Sequence, residues 1–286
     1  PAKYFQGLIL HIIIQGFTIA EWWVNMNGID NQGTVEIKNG AVIEHARFAV
    51  SNDGGFDWTN SGGIIKAENS TFRNNKKSIQ FHWSHNNTGT GNPTGNVSYF
   101  TNCSFEIDNS YKGDAINYPF DCHISMWAVE GIGITGCKFY NNTTSDTRGN
   151  GIVSYDAGYT VAPSCTGYWS TTGCVGTLVK SEFEGFKCGI IAEGDENHYI
   201  GTLTVDRAEF DRNSIGVRAK NIKDIAVLRS KFEIGHGQPI EISDCYKNAG
   251  TYTTNINRFR IEENEYIGYQ PGSPSGWVNL GAITEN

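Results

Sequence analysis

Between Val175 and Gly235 the hydrophobic and polar positions repeat three times: GTLVKSEFEGFKCGIIAEG, then GTLTVDRAEFDRNSIGVRAKN, then IKDIAVLRSKFEIG. Each copy has a short apolar run, a polar step and a Phe, at Phe183, Phe210 and Phe232. Two of the three add a second Gly-Ile or Gly-Val run. A period in the low twenties predicts one supersecondary unit per copy, stacked on its neighbours. Phe210 and Phe232 are 22 residues apart. That is room for three short strands and three bends, at about 3.3 Å per strand residue. It is too little for the helix pair of an α-solenoid. The LxxLxLxxN pattern of a leucine-rich repeat is missing. The pattern therefore predicts stacked β-coils.

Anchors of the same kind continue in both directions: Val42, Phe72, Phe105, Phe139, then the three above, then Tyr266. The gaps between anchors are 30, 33, 34, 44, 27, 22 and 34 residues. The shortest gap is a bare coil, so the longer ones contain loops inserted at bends. Such loops on a regular scaffold commonly carry function. Asn recurs just after the anchor, at Asn74, Asn75, Asn141, Asn142 and Asn213. Asn tolerates left-handed backbone and bonds locally, so a structural role at one bend outweighs ligand binding.

Composition supports the β reading and narrows the function. Gly is 34 of 286 residues and Pro only 7, with abundant Ile, Val, Thr, Asn, Phe and Tyr. A net charge of −8 opposes nucleic acid as a partner, because phosphates need a basic surface. No apolar stretch reaches the 18 or so residues of a membrane helix. LILHIII (8–14) reads as a buried strand. Residues 1–32 read as irregular, a cap or a remnant of preceding coils, with Trp22 and Trp23 covering the end. Residues 33–286 read as the β-helix proper, part of a longer chain.

Seven Cys are present, and their spacing is not that of a zinc site. Cys103 and Cys137 fall two residues before an anchor Phe and read as small stacked core thiols. Cys165 and Cys174 lie in the insertion PSCTGYWSTTGC, where a disulfide would close the loop and imply an oxidising compartment. The aromatic residues Trp58, Trp83, Tyr159, Tyr168 and Trp169 are placed on insertions and are the candidate ligand-binding set; aromatics there stack on sugar rings or form protein interfaces. Catalytic chemistry is thinner. Gly235-His236-Gly237 matches one element of polygalacturonase-type hydrolases, but the paired Asp-Asp is absent. Arg207, Arg218 and Lys220 near Asp206 and Asp211 suit a lyase only if they share one face; alternation with apolar residues favours a solvated strand face. His82 with His85 lacks a third metal ligand. Asp53 with Asp57, or Asp195 with Glu196, offers oxygen ligands to calcium without a full loop motif. No resident metal or other cofactor is assigned.

At NSTFRNN, ITGCKFYNN, GNGIVSYDAGYTVAPSC and SEFEGFKCGI the chain resembles the right-handed parallel β-helix region of large secreted surface proteins of Bacteroidetes. Those proteins commonly end in a type IX secretion sorting domain. The resemblance covers about residues 33–267, and RGNGIVSYDAGYTV followed by two Cys is its most specific part. It implies an extracellular, cell-surface location and carries over no functional residues. The expected fold is all-β, a right-handed parallel β-helix with loop insertions at the bends. The expected function is a stalk or adhesin module contacting glycans or proteins. The alternative is a polysaccharide lyase or glycoside hydrolase of the pectin-lyase-like superfamily.

Overall fold

The computed structural model describes residues 34–52, 63–82, 96–111, 119–144, 148–194, 201–233, 238–243 and 258–268, with strands also at 3–5, 11–15, 18–20, 22–25, 86–87, 93–94 and 278–280. Every described regular element is a β-strand. Three long parallel sheets hold nine, nine and ten strands, here sheets I, II and III. The chain visits them in that order, coil after coil. The coil 201–220, for example, contributes Thr202–Asp206 to sheet I, Glu209–Asp211 to sheet II and Ile215–Lys220 to sheet III. Among the described residues nine such coils stack, giving a β-solenoid, and Lys3–Phe5 adds one further strand to sheet III. Within residues 1–32, which the sequence offers as a cap or as a remnant of preceding coils, His11–Gln15, Thr18–Ala20 and Trp22–Asn25 form a coil paired with the next one.

The strands alternate because only one face of each sheet looks inward. In sheet I Val35, Ile37, Ile65, Ile132, Ile134, Leu203, Val205, Ile225 and Val227 are buried, while their neighbours along the strand are partly exposed. The bend from sheet I to sheet II recurs in form wherever no hairpin is inserted. Its first residue adopts left-handed backbone: Asn69, Asn102, Gly136, Arg207, Arg229 and Glu263 have φ between 47° and 61°. The next is small in most coils, at Ser70, Cys103, Cys137, Ser181, Ala208 and Ser230, all buried. Two residues later comes the ring. Cys103 and Cys137 thus sit in one interior column, and the Cys137 thiol donates to the Phe100 carbonyl at 3.3 Å.

These rings form a continuous ladder. Phe72, Phe105, Phe139, Phe183, Phe210 and Phe232 are fully buried and stacked at 4.5–5.0 Å between centroids, and Tyr266 follows at 5.5 Å. The first expected anchor is off by one. Val42 pairs with Thr71, and the buried residue in register with Phe72 is Ile43. That bend holds two left-handed residues, Asn39 and Gly40, which shift the register. Among the recurring Asn, Asn75 and Asn213 are structural. Asn75 Nδ2 donates to the Ile43 carbonyl and its Oδ1 accepts from Ala46 N, so one amide ties two coils together. Asn213 does the same with Phe183 and Phe186.

Candidate functional site

The insertion after strand Gly158–Ala162 is the first candidate. Ser164–Cys165 pairs antiparallel with Leu178–Val179, and Tyr168–Ser170 with Gly173–Val175. The result is a hairpin standing between sheets I and II. A disulfide joins Cys165 to Cys174, with 5.6 Å between Cα atoms. Ser170 Oγ donates to the Gly173 carbonyl at 2.8 Å and closes the tip. Tyr168 is 65% exposed, Trp169 53% and Val175 44%. A loop without a core of its own therefore presents two rings to solvent on a covalently tied frame.

Tyr159 does not belong with them. It is 3% exposed, on the inward side of Gly158–Ala162, and its hydroxyl accepts from Ser154 Oγ at 3.2 Å. Burial pushes that hydroxyl's pKa upward. The strand alternation extends to Ala162, so the insertion begins later than the sequence suggested. Trp58 and Trp83 lie outside the described residues, as do His85, His236 and the acids at 53, 57, 195 and 196.

The charged candidates around Arg207 do not converge. Arg207 stands at the bend from sheet I to sheet II, Asp211 on sheet II, and Arg218 and Lys220 on the outside of sheet III. Asp206 takes ion pairs from Arg207 at 3.3 Å and Arg229 at 2.8 Å. Arg218 Nε pairs with Glu241 at 2.9 Å. Arg229–Asp206 and Arg218–Glu241 tie neighbouring coils together on separate faces, and Arg207–Asp206 joins chain neighbours.

A groove of about 160 Å3 does lie on the outside of sheet II, lined by Glu182, Glu184, Glu209, Asp211, Lys231 and Glu233. Register stacks its acids: Glu182 on Glu209, and Glu184 on Asp211 on Glu233. Burial, reinforced by the Glu233 charge, raises the Asp211 pKa. Each of these acids also has a cation. Lys138 pairs with Glu182, Lys180 with Glu209, Arg212 with both Glu184 and Asp211, and Lys231 with Glu233. Among the described residues no group of three or more His, Cys, Asp or Glu is arranged to hold a metal ion. No helix among them is long and apolar enough to cross a membrane.

One aromatic pair went unnoticed in the sequence. Trp127 and Tyr155 end the sheet III strands Cys122–Trp127 and Asn150–Tyr155 and are register partners on its outer face. Tyr155 is 40% exposed. Counting alternation from buried Ile124 and Ile152 puts both outside. Comparison with known protein families, curated proteins and solved structures gives no match.

Proposed function

We propose that this chain is a right-handed parallel β-helix segment of a secreted bacterial surface protein, acting as a stalk or adhesin module that binds glycan or protein. Right-handedness is the rule for parallel strands joined by crossovers within one sheet. The observation that carries the binding role is the hairpin of Cys165 and Cys174, with Tyr168 and Trp169 both more than half exposed. Exposed rings on a pre-organised frame bind with little ordering cost. The disulfide supports an extracellular setting, since such bonds persist in oxidising compartments. The nine-coil stack supports the stalk role, because each coil extends the rod by about 4.8 Å.

The test is a binding screen of the purified chain against neutral and acidic polysaccharides, with and without calcium, scored also for new reducing or unsaturated ends. The expected result is binding without cleavage, weakened about tenfold by Tyr168→Ala with Trp169→Ala. Binding that ignores both substitutions would remove the hairpin from the function.

The second reading, a polysaccharide hydrolase or lyase, is favoured by one observation: the groove that stacks Glu184, Asp211 and Glu233. Its ion pairs argue for a stabilised face instead. Cleavage abolished by Asp211→Asn would establish the enzyme and displace the adhesin.

A further inference from the structure

We propose that the outer face of sheet III at Trp127 and Tyr155 is a saccharide-binding platform for a neutral, extended polysaccharide lying along the solenoid axis. The proposal rests on the glycan-binding reading above, and places a second site on another face.

Three features make the pair a platform. Trp127 and Tyr155 are in register on adjacent coils, so their attachment points are one coil rise apart, about 4.8 Å. That rise is close to the length of one pyranose unit, so successive sugars of an extended chain meet successive rings. The indole is held from the preceding coil: the His82 ring lies 4.4 Å from it at 67°. His82 is itself fixed, its backbone N–H donating to Oδ1 of the fully buried Asn52 at 2.6 Å.

The bends supply the third feature. After Trp127 and after Tyr155 the chain returns to sheet I through only two residues, Ala128–Val129 and Asp156–Ala157. The left-handed backbone of Ala128 and Asp156 makes this sharp turn, and their N–H groups bond to the carbonyls of Tyr155 and Glu193 in the next coil. The coils on either side return through longer connections, 82–98 and 194–201. The pair thus sits beside the two shortest returns in its neighbourhood, so the coils that carry the rings add no long loop at this edge.

The surroundings select the ligand. Ser125, Val153 and Ile191 form the adjoining outward column, followed by Arg218 and Glu241, whose charges cancel in a 2.9 Å pair. Glu193 and Lys220 continue the aromatic column, again one charge of each sign. No excess of positive charge awaits an acidic polymer, and the whole chain carries −8. Rings with a mixed polar border suit the apolar face and hydroxyl rim of a neutral sugar. A stable protein interface needs about 1,000 Å² or more, which two rings do not supply.

The probes are a soluble neutral β-glucan and polygalacturonate, read by affinity gel retardation and tryptophan fluorescence. Neutral glucan is expected to bind, and Tyr155→Ala and Trp127→Ala each to weaken it about tenfold. Tyr168→Ala with Trp169→Ala should leave the Tyr155-dependent part in place. Because Trp127 is half-buried, Tyr155→Ala with an unchanged melting temperature is the decisive variant. Glucan binding that is equal in Tyr155→Ala and parent overturns this site while the binding-module reading stands. Retardation by polygalacturonate but not glucan overturns the ligand class. Retardation by neither polymer overturns the platform, while a hairpin-dependent protein partner would keep the module reading alive.

Discussion

In sheet II one residue type fills the same inward position in six successive coils, from Phe72 to Phe232. The facing inward position in sheet III changes from Ser78 to His123, then Gly151, Gly189, Gly216 and Pro239. Both columns are buried, and they meet in one core. A methyl group added at Gly151, Gly189 or Gly216 would lie 2.7–2.9 Å from the ring of Phe183, Phe210 or Phe232, one coil further on. The ladder therefore fills the core from one side, and the facing column yields space to it. Repetition belongs to the residue that fills. The residue that yields need only be small or shaped to the gap.

Removing one rung separates the roles of the two columns most directly. Phe139 stacks at 4.7 Å on Phe105 and 4.5 Å on Phe183, and no neighbour can swing into its place without leaving its own stack. Phe139→Ala should cost about 3–5 kcal/mol, measured by denaturant unfolding. A loss below about 1 kcal/mol would mean that the ladder is incidental to the core.

The facing column has its own weak point at His123. Its ring is fully buried among Phe105, Phe120, Phe139 and Phe186, and Nδ1 meets Ser78 Oγ at 3.3 Å. Burial pushes its pKa down to about 3, opposed by the Tyr140 carbonyl. The folded pKa lies below the unfolded value of about 6.5, so the unfolded chain takes up the proton first. The contribution of His123 is complete above about pH 6.5. It is lost as pH falls toward about 3, by about 1.4 kcal/mol per unit. Wild type should lose stability across that window more steeply than His123→Asn. Parallel pH curves for the two would show that His123 is not held neutral by the core.

A pair of glycines separates yielding space from merely being flexible. At Gly151 a Cβ would sit 2.5 Å from the Gly189 carbonyl and 2.9 Å from the Phe183 ring. Gly151→Ala should destabilise by about 1–3 kcal/mol through overpacking. At Gly133 a Cβ would meet only Tyr99 Cβ, at 3.7 Å. Gly133→Ala should stabilise by about 0.4–1 kcal/mol, by restricting the unfolded chain. Equal melting temperatures for the two variants would erase the distinction.

The same contrast explains what the sequence disclosed. The coil period was legible because Phe183, Phe210 and Phe232 recur behind a small residue. Val42 stands one residue short of the true anchor, Ile43, because Gly40 adds one residue to this bend, a shift visible only in pairing. The column of Ser78, His123 and the glycines was invisible, since no shared chemistry marks it. At the candidate sites, Tyr168 and Trp169 stood out because their segment lacks strand alternation. Tyr159 misled because its alternation runs straight into the insertion. Trp127 and Tyr155 were hidden at the ends of apolar strands, where parity alone distinguishes outside from inside.

The smallest expected effect tests what the ladder recognises. Tyr266 is the last described rung, half-buried, 5.5 Å from Phe232 and tilted by 16°. Its hydroxyl lies by Asn264, whose amide bonds to Ser230 N and the Val227 carbonyl. Tyr266→Phe keeps the ring and leaves both backbone bonds of Asn264 in place. Only one hydrogen bond is lost, at a site partly open to water, so the change should stay within about 1 kcal/mol. Tyr266→Leu keeps apolar bulk but removes the flat ring that stacks on Phe232. If it costs more than Tyr266→Phe, the rung is selected for its plane as well as its volume. If the two cost the same, volume alone explains the aromatic column, and branched aliphatics such as Ile43 are full substitutes in it.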